Sequence, residues 1–557
     1  MPDATGQHIM AGFSEQQHGQ GGGPPSRRDS TDSQSHLLAH DAAMAAEDGQ
    51  HGGRRQAAAA AAEVDDEAAR RIVRRIDLRI MPLLFLTSML NFTDKAILSS
   101  AAVFGLRADT HLRGAQYAWA ASAFYLGYLV WNPLAARLAQ RLPVARYLGV
   151  DALVWGGVVA ATAACRGFGS LFAARLLLGA AEAAVVPCLV RVTGAWYTRD
   201  EIPARTGVWF AGNSLGGILS SLLALGVGAA VPEGHGGAWR WMFGILGFLT
   251  LGLGLLVLAR LPDSIASARF LDASERRWAR DRVVVAGLGS TETTAAWRWD
   301  QARECLADPQ TWLIVCLALL CQIPNGGTQN FANLVVTSFG FSPLQSALVN
   351  IPYSLLSMAA IAGTGWLAGR FRSLNCILIA LVVLPPVAGS ALISHRASLP
   401  RSVSLVGYFL LSSGPSALPL LLSLSQSNVR GASKKTTLTA LLFLAYCVGN
   451  IAGPQLFATE AESPTYRGAF RAILVCYSLV VGLALVLRAY LSAVNSRRRR
   501  EEGVEGSAGA SGAVGGGKVV EVGRGGRVAQ AVGEVVLRPE DYEDITDWKT
   551  FGFRYRL

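Results

Sequence analysis

Twelve long apolar segments constrain this chain more than any other feature of its sequence. Each is long enough to cross a lipid bilayer as a helix, which takes about 20 residues. The segments lie at residues 80–104, 116–136, 147–165, 170–190, 206–230, 239–259, 310–336, 343–368, 374–394, 403–425, 436–458 and 468–490. A charged stretch at 261–309 divides them into six and six. The pattern predicts an all-α polytopic membrane protein with 12 transmembrane helices.

The composition excludes several other classes of protein. Only 16% of the residues are charged, whereas a soluble chain carries about 25%. The formal net charge of +11 is not accompanied by a nucleic-acid-binding motif or a basic face with interleaved aromatics, so no nucleic-acid partner is expected. The eight cysteines form no CxxC pair, which predicts neither a disulfide framework nor a metal site. The chain has no phosphate-binding glycine loop and no catalytic constellation, so we expect neither an enzyme nor a cofactor.

Basic residues in the short loops predict the orientation in the membrane. Loops on the side of the N-terminus carry Arg137, Arg141 and Arg146, then Arg191, Arg199 and Arg205, then Arg370 and Arg372, then Arg430, Lys434 and Lys435, then Arg497 to Arg500. The loops on the other side contain fewer Lys and Arg residues. This bias places both termini in the cytoplasm.

The same reading predicts five regions along the chain. Residues 1–69 form a disordered cytoplasmic tail, 70–260 the N-terminal six-helix bundle, 261–309 a cytoplasmic central loop, 310–495 the C-terminal six-helix bundle, and 496–557 a mostly disordered cytoplasmic tail. The chain ends in EDYEDITDWKTFGFRYRL, where acidic and then aromatic and basic residues favour either a docking or sorting tail or a solvated tail without a partner.

Two charged residues lie inside the fourth apolar segment. Arg175 and Glu182 are seven residues apart, which places them on nearly the same face of a helix, roughly 10 Å apart along its axis. A charge at the centre of a bilayer costs about 2.5 to 3.5 kcal/mol on insertion scales. We therefore expect this face of the helix to look into a wet cavity.

Several longer stretches resemble one family of transporters. They are NFTDKA at 91–96, RLLLGAAEAAVVPCLV at 175–190, WYTRDEIPARTGVWFAGNSLGGI at 196–218, LPDSIASARFL at 261–271, IPNGGTQNF at 323–331, SNVRGASKKTTLTALLFLAYCVGNIAGPQLF at 427–457 and the final ITDWKTFGFRYRL. Together they resemble the fungal allantoate permease-like branch of the anion:cation symporter family, within the major facilitator superfamily. Two positions depart from the pattern: ARLAQRLPVARYLG lacks the usual Gly and Asp of the gating motif, and Lys95 stands where many relatives have Arg.

The resemblance implies two pseudo-symmetric six-helix bundles that rock about a central site. It implies a proton-coupled symporter that imports a small organic anion, such as allantoate, ureidosuccinate or a nicotinate-like carboxylate, across the plasma membrane. The expected partners are the anion, protons and the lipid bilayer, and the protein is expected to be a monomer. A non-transporting nutrient sensor and a proton-antiport efflux pump are the alternatives.

Charged residues within the segments are the first candidates for this chemistry. Arg175 is a candidate for binding a substrate carboxylate, because a guanidinium matches a carboxylate with two hydrogen bonds and keeps its proton. The alternative is that Arg175 is a permanent partner of Asp94. Glu182 is the candidate proton carrier, and its alternative is a structural hydrogen bond. Asp94 is the second candidate for the proton.

Polar residues within the segments complete the candidate binding site. They are Trp209 and Asn213 on the fifth span, Asn325, Gln329 and Asn330 on the seventh, and Asn450 on the eleventh. The Pro-Asn-Gly-Gly at 324–327 is expected to break its helix and expose backbone groups to a cavity. The alternative for a single intramembrane Asn is a helix–helix hydrogen bond.

The glycines at 207, 212, 216, 217, 449 and 453 are predicted to be close-packing positions. Lys434 and Lys435 are predicted to mark the cytoplasmic end of a span, with a gating salt bridge as the alternative.

Overall fold

The computed structural model describes residues 66–198, 201–231, 237–283, 297–371, 374–458, 466–509, 546–548 and 555–556, and every regular element in these ranges is a helix. The helices are α1 Asp66–Ala101, α2 Gln116–Arg141, α3 Val144–Thr162, α4 Phe168–Glu182, α5 Val185–Trp196, α6 Ile202–Ala230, α7 Ala238–Arg260, α8 Ala273–Val283, α9 Trp299–Ala307, α10 Pro309–Ser338, α11 Pro343–Arg370, α12 Asn375–Ser394, α13 Arg401–Leu410, α14 Ala417–Asn428, α15 Ala432–Ala458 and α16 Arg467–Gly509. The disorder predicted for the tails falls mainly on residues 1–65 and 510–545, which lie outside the described residues.

Two of the spans consist of more than one helix. The fourth span comprises α4 and α5, and the tenth comprises α13, a 3-10 turn at Leu411–Ser416 and α14. The first span, α1, continues through a π-helical turn at Ala102–Leu106 into Arg107–Asp109. The charged stretch before the first apolar segment belongs to α1 as well, so this helix begins within the predicted N-terminal tail.

The all-α polytopic fold predicted from the apolar segments is confirmed. Eleven helices of the described chain are long and apolar enough to span a membrane. The second predicted span forms α2, a helix of 26 residues, but it is not among the eleven, because its tyrosines, tryptophans and Asn132 lower its hydropathy. Since a helix rises 1.5 Å per residue, α2 is nevertheless long enough to cross, and it packs between α4 and α15.

Helix pairs recur in the same order in the two halves of the chain, α1–α7 (the first half) and α10–α16 (the second half). In the first half, the first span packs on the fifth (α1 on α6), the third on the sixth (α3 on α7) and the second on the fourth (α2 on α4). In the second half, the seventh packs on the eleventh (α10 on α15), the ninth on the twelfth (α12 on α16) and the eighth on the 3-10 turn of the tenth. Each pairing is repeated six spans later, which is the pattern expected of an internal repeat. The residue boundaries assigned to the two bundles stay a prediction.

Glycines bring the corresponding helix pairs close together in both halves. A Cβ added at Gly216 on α6 would overlap the carbonyl oxygen of Met89 on α1. A Cβ at Gly453 on α15 would likewise overlap the carbonyl oxygen of Ile323 on α10. The predicted close packing is confirmed for these and for the glycines at 212, 217 and 449, whereas Gly207 has open space around it.

A second close approach positions the charged helix α4 against α2, and it leads to a testable prediction. A Cβ on Gly179 would overlap the carbonyl oxygen of Phe124, and a Cβ on Gly127 would overlap that of Leu176. Gly179→Ala is therefore expected to destabilise the fold by about 1–3 kcal/mol, the usual cost of overpacking a well-packed contact. The fraction of detergent-solubilised protein that stays monodisperse after heating measures this effect.

Gly157 on α3 provides the matched control, because nothing lies within 4 Å of a Cβ added there. Gly157→Ala is expected to leave the heating profile unchanged or slightly improved, since Ala favours a helix over Gly by about 1 kcal/mol. Equal loss in both variants would contradict the role assigned to the α2–α4 contact.

We call the face of the bundle at which α1 begins and α16 ends the terminal face, and the opposite face the far face. Hydrogen bonds join the two halves at the far face. At the far face, Tyr117 donates from its hydroxyl to the carbonyl oxygen of Asn330 at 2.7 Å, and the main-chain N–H of Asn333 donates to Ser99 Oγ at 3.0 Å. Gln455 Nε2 donates to Ser122 Oγ at 3.0 Å. A cavity of only about 10 Å³ lies in this seam, lined by Arg107, Gly114, Tyr117, Ala118, Phe331, Ala458 and Tyr466.

At the terminal face, the two helices of the central loop contact different halves. Glu275 on α8 pairs with Arg75 at 2.9 Å, and Arg282 pairs with Glu201 at 3.1 Å, so α8 is fastened to the first half. Glu304 on α9 lies 2.9 Å from Lys434 Nζ, so α9 is fastened to the second half. Each of these three ion pairs fastens a helix of the central loop to one half, whereas the hydrogen bonds of the far face join the two halves.

Candidate functional site

The charged face of α4 packs against α1 rather than opening onto solvent. Arg175 and Glu182 share a face of α4 as predicted, but they are 1% and 0% exposed. The partners opposite them are Asn91, Asp94 and Lys95; Asp94 and Lys95 follow Asn91 by three and four residues and so lie on the same side of α1. The expectation that the charged face looks into a wet cavity is therefore wrong for this conformation, in which a polar stripe of another helix takes that place.

Glu182 is held by Lys95, which the candidate list did not include. Glu182 Oε2 forms an ion pair with Lys95 Nζ and accepts from Asn91 Nδ2 at 2.8 Å. Lys95 Nζ also donates to Asn91 Oδ1 at 2.9 Å and to the Asn91 carbonyl at 2.6 Å. Glu182 Oε1 is buried and has no hydrogen-bond partner among the described residues. The hydrogen bonds that Glu182 makes with the described residues are therefore all on Oε2.

Asp94 is arranged in a similar way, with a hydrogen bond from a described residue to one of its oxygens. Asp94 Oδ2 accepts a hydrogen bond from the Trp155 indole N–H. Asp94 Oδ1 lies 4.0 Å from Lys95 Nζ and has no hydrogen-bond partner among the described residues. Burial of an ionised carboxylate without full hydrogen bonding costs free energy. Protonation of either carboxylate would therefore change the free energy of this buried site strongly.

Arg175 contacts the main chain of the first span instead of a carboxylate. Its Nη1 lies 3.5 Å from the carbonyl oxygen of Asp94, and its Nε has no partner among the described residues. Its guanidinium carbon lies 5.3 Å from the centre of the Phe124 ring, and Lys95 Nζ lies 5.0 Å from the same centre. The described contacts of Arg175 therefore do not include the ion pair with Asp94 that was the alternative interpretation.

These four side chains form a cluster of balanced charge inside the first half. Asp94, Lys95, Arg175 and Glu182, which we call the charged cluster, contribute two positive and two negative charges when all are ionised. Balance matters because an unpaired charge in a buried site would cost several kcal/mol. Any change in the charge of one member therefore changes the environment of the other three.

Two further candidates lie on α6, against the first span. Asn213 Oδ1 accepts from Ser88 Oγ at 2.8 Å. Trp209 is 3% exposed, and its indole N–H has no hydrogen-bond partner among the described residues. The structure thus brings Asn213 into a helix–helix hydrogen bond, which was the alternative for such residues, and leaves Trp209 with an unused donor.

The candidates on the seventh and eleventh spans form an amide cluster in the second half. Asn325 Nδ2 donates to Asn450 Oδ1 at 3.1 Å, and both amides donate to Gln322 Oε1, at 3.2 and 3.0 Å. Gln329 Nε2 is buried without a partner among the described residues. Asn330 Nδ2 donates to the carbonyl of Gly326 on its own helix at 2.8 Å.

The helix break predicted at residues 324–327 is wrong. Helix α10 runs without interruption from Pro309 to Ser338, with Pro324 inside it. The glycines of this stretch serve a different purpose, because a Cβ on Gly326 would lie 2.6 Å from Asn450 Cα. The small residues therefore allow α15 to approach α10 closely, and this approach brings Asn450 to Asn325.

An aromatic bridge connects the charged cluster with the amide cluster. On α2, Phe124 lies beneath Lys95 and Arg175 and contacts Tyr125, with ring centres 5.1 Å apart. Tyr125 contacts Tyr446 on α15 edge to face at 5.8 Å, and the Tyr446 carbonyl accepts from Asn450 Nδ2 at 2.8 Å. No expectation named these rings, although the spacing of aromatics at 124, 125 and 128 on the second span was a usable signal.

Comparison with known proteins agrees with this architecture. The model of the Major Facilitator Superfamily matches residues 84–454. An uncharacterized transporter of Schizosaccharomyces pombe is 32% identical over 487 residues, covering 87% of this chain and 87% of that protein. The allantoate permease of Saccharomyces cerevisiae is 31% identical over 445 residues, covering 77% of this chain and 80% of that protein. The thiamine pathway transporter THI73 of the same yeast is 29% identical over 436 residues, covering 78% and 82%.

A solved structure supports the fold independently. A bacterial homologue of the human lysosomal transporter Spinster, solved in an inward-facing and unoccupied conformation, superimposes with a TM-score of 0.56 at 16% identity. The match covers 73% of this chain and 95% of that one. With the family model matching most of the chain and transporters similar along most of their length, this chain belongs to the Major Facilitator Superfamily, in its fungal allantoate permease-like branch, and is a multi-pass membrane transporter.

Proposed function

We propose that this transporter is a proton-coupled symporter that imports a small organic anion by alternating access. The observation that carries the proposal is the ion pair between Glu182, which is buried, and Lys95, whose side chain is 12% exposed. Both groups lie in one charge-balanced cluster, and both carboxylates of this cluster have an oxygen without a hydrogen-bond donor among the described residues. Such a cluster can take up a proton or exchange one carboxylate for another without acquiring a large net charge.

The ion pair couples the two ligands to each other. A substrate carboxylate and the Glu182 carboxylate compete for the ammonium group of Lys95. Protonation of Glu182 removes its charge and weakens its hold on Lys95, so the proton favours anion binding. By linkage the bound anion then favours the protonated form of Glu182. Proton and anion therefore bind together and cross together, which is the requirement for symport.

The remaining candidates have supporting roles in this proposal. Arg175 keeps its proposed role as a second cation for the substrate, reached when the contact with the Asp94 carbonyl opens. Asp94 is the second proposed proton site. The proposed lining of the substrate site consists of Trp209, Asn213, Asn325, Gln329, Asn330 and Asn450. Among these, Trp209 and Gln329 each have a buried N–H group without a partner among the described residues, and these groups are suited to donate hydrogen bonds to an anion.

The substrate class follows from the relatives and from the cations of the cluster. The yeast relatives are an allantoate permease and a thiamine pathway transporter. Of these two names, the first denotes a carboxylate, which matches Lys95 and Arg175. We therefore propose allantoate, ureidosuccinate or a nicotinate-like carboxylate as the substrate class. The terminal face, with its Arg-rich loops, is proposed to be cytoplasmic, and the protein is proposed to act as a monomer in the plasma membrane.

Uptake by whole cells tests the proposal. A yeast host that lacks its own carboxylate permeases would express the full chain and be given radiolabelled allantoate, ureidosuccinate, nicotinate and, as a cationic control, thiamine. We expect accumulation of one carboxylate above the vector control, stimulated by external acid and abolished by a protonophore. A cellular response without accumulation would instead indicate a sensor, and export from preloaded cells would indicate an antiporter. Either result would overturn the proposal.

A further inference from the structure

A buried lysine at the terminal face of the second half is surrounded by three carboxylates. Lys434, which was predicted to mark the cytoplasmic end of a span, lies in the first turn of α15 and is 0% exposed. Its Nζ lies 2.9 Å from Glu304 Oε1, 3.2 Å from Asp308 Oδ2 and 2.9 Å from Asp547 Oδ1. Lys434 therefore forms salt bridges, and the gating role that the alternative interpretation gave to such a bridge stays a prediction. The third carboxylate is unexpected, because Asp547 belongs to the C-terminal end of the chain.

The main chain of that C-terminal end is held by two asparagine side chains. Asn428 Nδ2 donates to the carbonyl of Arg556 at 2.9 Å, and the Arg556 N–H donates to Asn428 Oδ1 at 2.8 Å. Asn495 on α16 makes the same pair of bonds to Tyr555, at 2.9 and 3.0 Å. Each amide thus binds both main-chain groups of one residue, as a neighbouring strand would.

Side chains add specificity to this main-chain recognition. The Tyr555 hydroxyl donates to Asp547 Oδ2 at 2.6 Å and accepts from Arg498 Nη2 at 3.2 Å. Arg498 also donates to the Asp547 carbonyl at 3.1 Å, and its guanidinium carbon lies 4.8 Å from the centre of the Tyr555 ring. Burial raises the pKa of Tyr555 above its usual range, so the hydroxyl keeps the proton that it donates. Thr546 and Asp547 are 1% and 0% exposed.

We propose that the terminal face of the second half is a binding site for the chain's own C-terminal segment, described here as residues 546–548 and 555–556 (the docked segment). The docked segment acts as a latch. It joins α9, through Thr546 Oγ1 donating to Glu304 at 2.9 Å, to the first turn of α15 and to Asn495 in the C-terminal part of α16. The contacts come from four separate parts of the chain and include a buried carboxylate, which distinguishes this site from a tail lying on a surface.

The charges at Lys434 make the latch releasable. Without Asp547, Lys434 still has Glu304 and Asp308, so departure of the segment does not leave an unpaired buried lysine. With Asp547 in place, three carboxylates face one ammonium group, and their mutual repulsion offsets part of the attraction. The pKa of Asp308, which caps the N-terminus of α10, is raised by burial in this site. The binding site on the second half therefore keeps its own ion pairs without the docked segment, and the segment binds to it in a separate step.

The latch controls the part of the second half that carries the amide cluster. Helix α9 leads directly into α10, which carries Asn325, and Lys434 lies in the first turn of α15, which carries Asn450. A docked segment fixes the terminal ends of these two spans relative to each other. When the segment is released, only the direct contacts between α10 and α15 fix the relative position of these ends. This inference concerns the docking itself and does not depend on the proposed substrate or on proton coupling.

Thiol cross-linking in membranes tests whether the segment docks. In the full chain with Cys316 and Cys476 replaced by Ala, Arg430→Cys, at an exposed position two residues after Asn428, would be combined with Arg556→Cys and treated with a short bifunctional thiol reagent. We expect at least about tenfold more intramolecular cross-link than in the pair Arg141→Cys and Arg556→Cys, because a docked segment has a far higher local concentration than a free tether. Arg141 ends α2 in the first half. Equal yields from the two pairs would overturn the proposal.

Two neighbouring arginines provide a matched control for the latch. Arg498→Ala removes the contacts with Asp547 and Tyr555, and it is expected to lower the cross-linking yield of the first pair several-fold. Arg499→Ala makes the same chemical change one residue away, at an exposed position, and is expected to leave the yield unchanged. Asp547→Ala is expected to act as Arg498→Ala does. An unchanged yield in both Arg498→Ala and Asp547→Ala would overturn the proposal.

Discussion

Replacing Glu182 by Gln is expected to abolish proton-driven accumulation of the substrate while leaving substrate exchange intact. The amide has nearly the shape of the carboxylate, but it neither takes up a proton nor competes as an anion for Lys95. With two pH units across the membrane, a one-proton symporter can concentrate its substrate up to about 100-fold, since each unit corresponds to about 1.36 kcal/mol. The Glu182→Gln variant is expected to equilibrate its substrate to a ratio of about 1, because no free energy of the proton enters its cycle.

Reconstituted vesicles separate these two activities. Accumulation is measured with an acid-outside gradient, and exchange is measured as counterflow of labelled substrate against an internal unlabelled pool at equal pH. Asp94→Asn is the comparison at the second proposed proton site. If gradient-driven accumulation persists in Glu182→Gln and disappears in Asp94→Asn, the role of proton carrier belongs to Asp94. Loss of both accumulation and counterflow in Glu182→Gln would mean that this carboxylate is needed for binding or for the conformational change itself.

The sequence predicts the polar stripe of the fourth span but not its surroundings. Arg175 and Glu182 repeat at helical spacing, and the structure places both on one face. A stripe of this kind looks the same whether it faces water or the polar stripe of another helix. The stripe faces another helix because the rotation of α1 about its axis brings Asn91, Asp94 and Lys95 toward α4. Lys95 was visible in the sequence as a departure from the usual Arg, but its pairing with Glu182 depends on how α1 packs against α4.

The amide cluster and the docked segment also depend on tertiary packing that local sequence does not predict. Residues 324–327 predict a helix break by local propensity, but tertiary packing keeps α10 continuous and uses its glycines for the approach of α15. Asp547 and Lys434 lie far apart along the sequence, and nothing near either residue identifies the other as a partner. The final acidic and aromatic residues favoured either a docking or sorting tail or a solvated tail without a partner, and the contacts of Asp547 and Tyr555 with the second half are what led to the docking proposal.

Replacing Lys95 by Met is expected to have the largest effect on stability of any single change in the charged cluster. Lys95 holds Glu182 directly and lies 4.0 Å from Asp94, and Arg175 contacts neither carboxylate in the described conformation. Removing one partner of a buried ion pair costs about 3–5 kcal/mol, because the other charge remains without compensation. The expected result is a marked fall in the thermal midpoint of the purified protein and loss of uptake.

The double variant Lys95→Met with Glu182→Gln separates the structural loss from the functional one. Replacing both members of a buried pair with uncharged groups is often close to neutral for stability, so most of the thermal midpoint is expected to return. Uptake is not expected to return, because the proposed anion-binding ammonium is absent. Lys95→Arg keeps the charge and is expected to retain both stability and measurable transport. If the double variant is as unstable as Lys95→Met alone, the ion pair is not what Lys95 contributes to the fold. If the double variant transports the anion with unchanged affinity, the substrate carboxylate is bound elsewhere, and Arg175 becomes the cation to test.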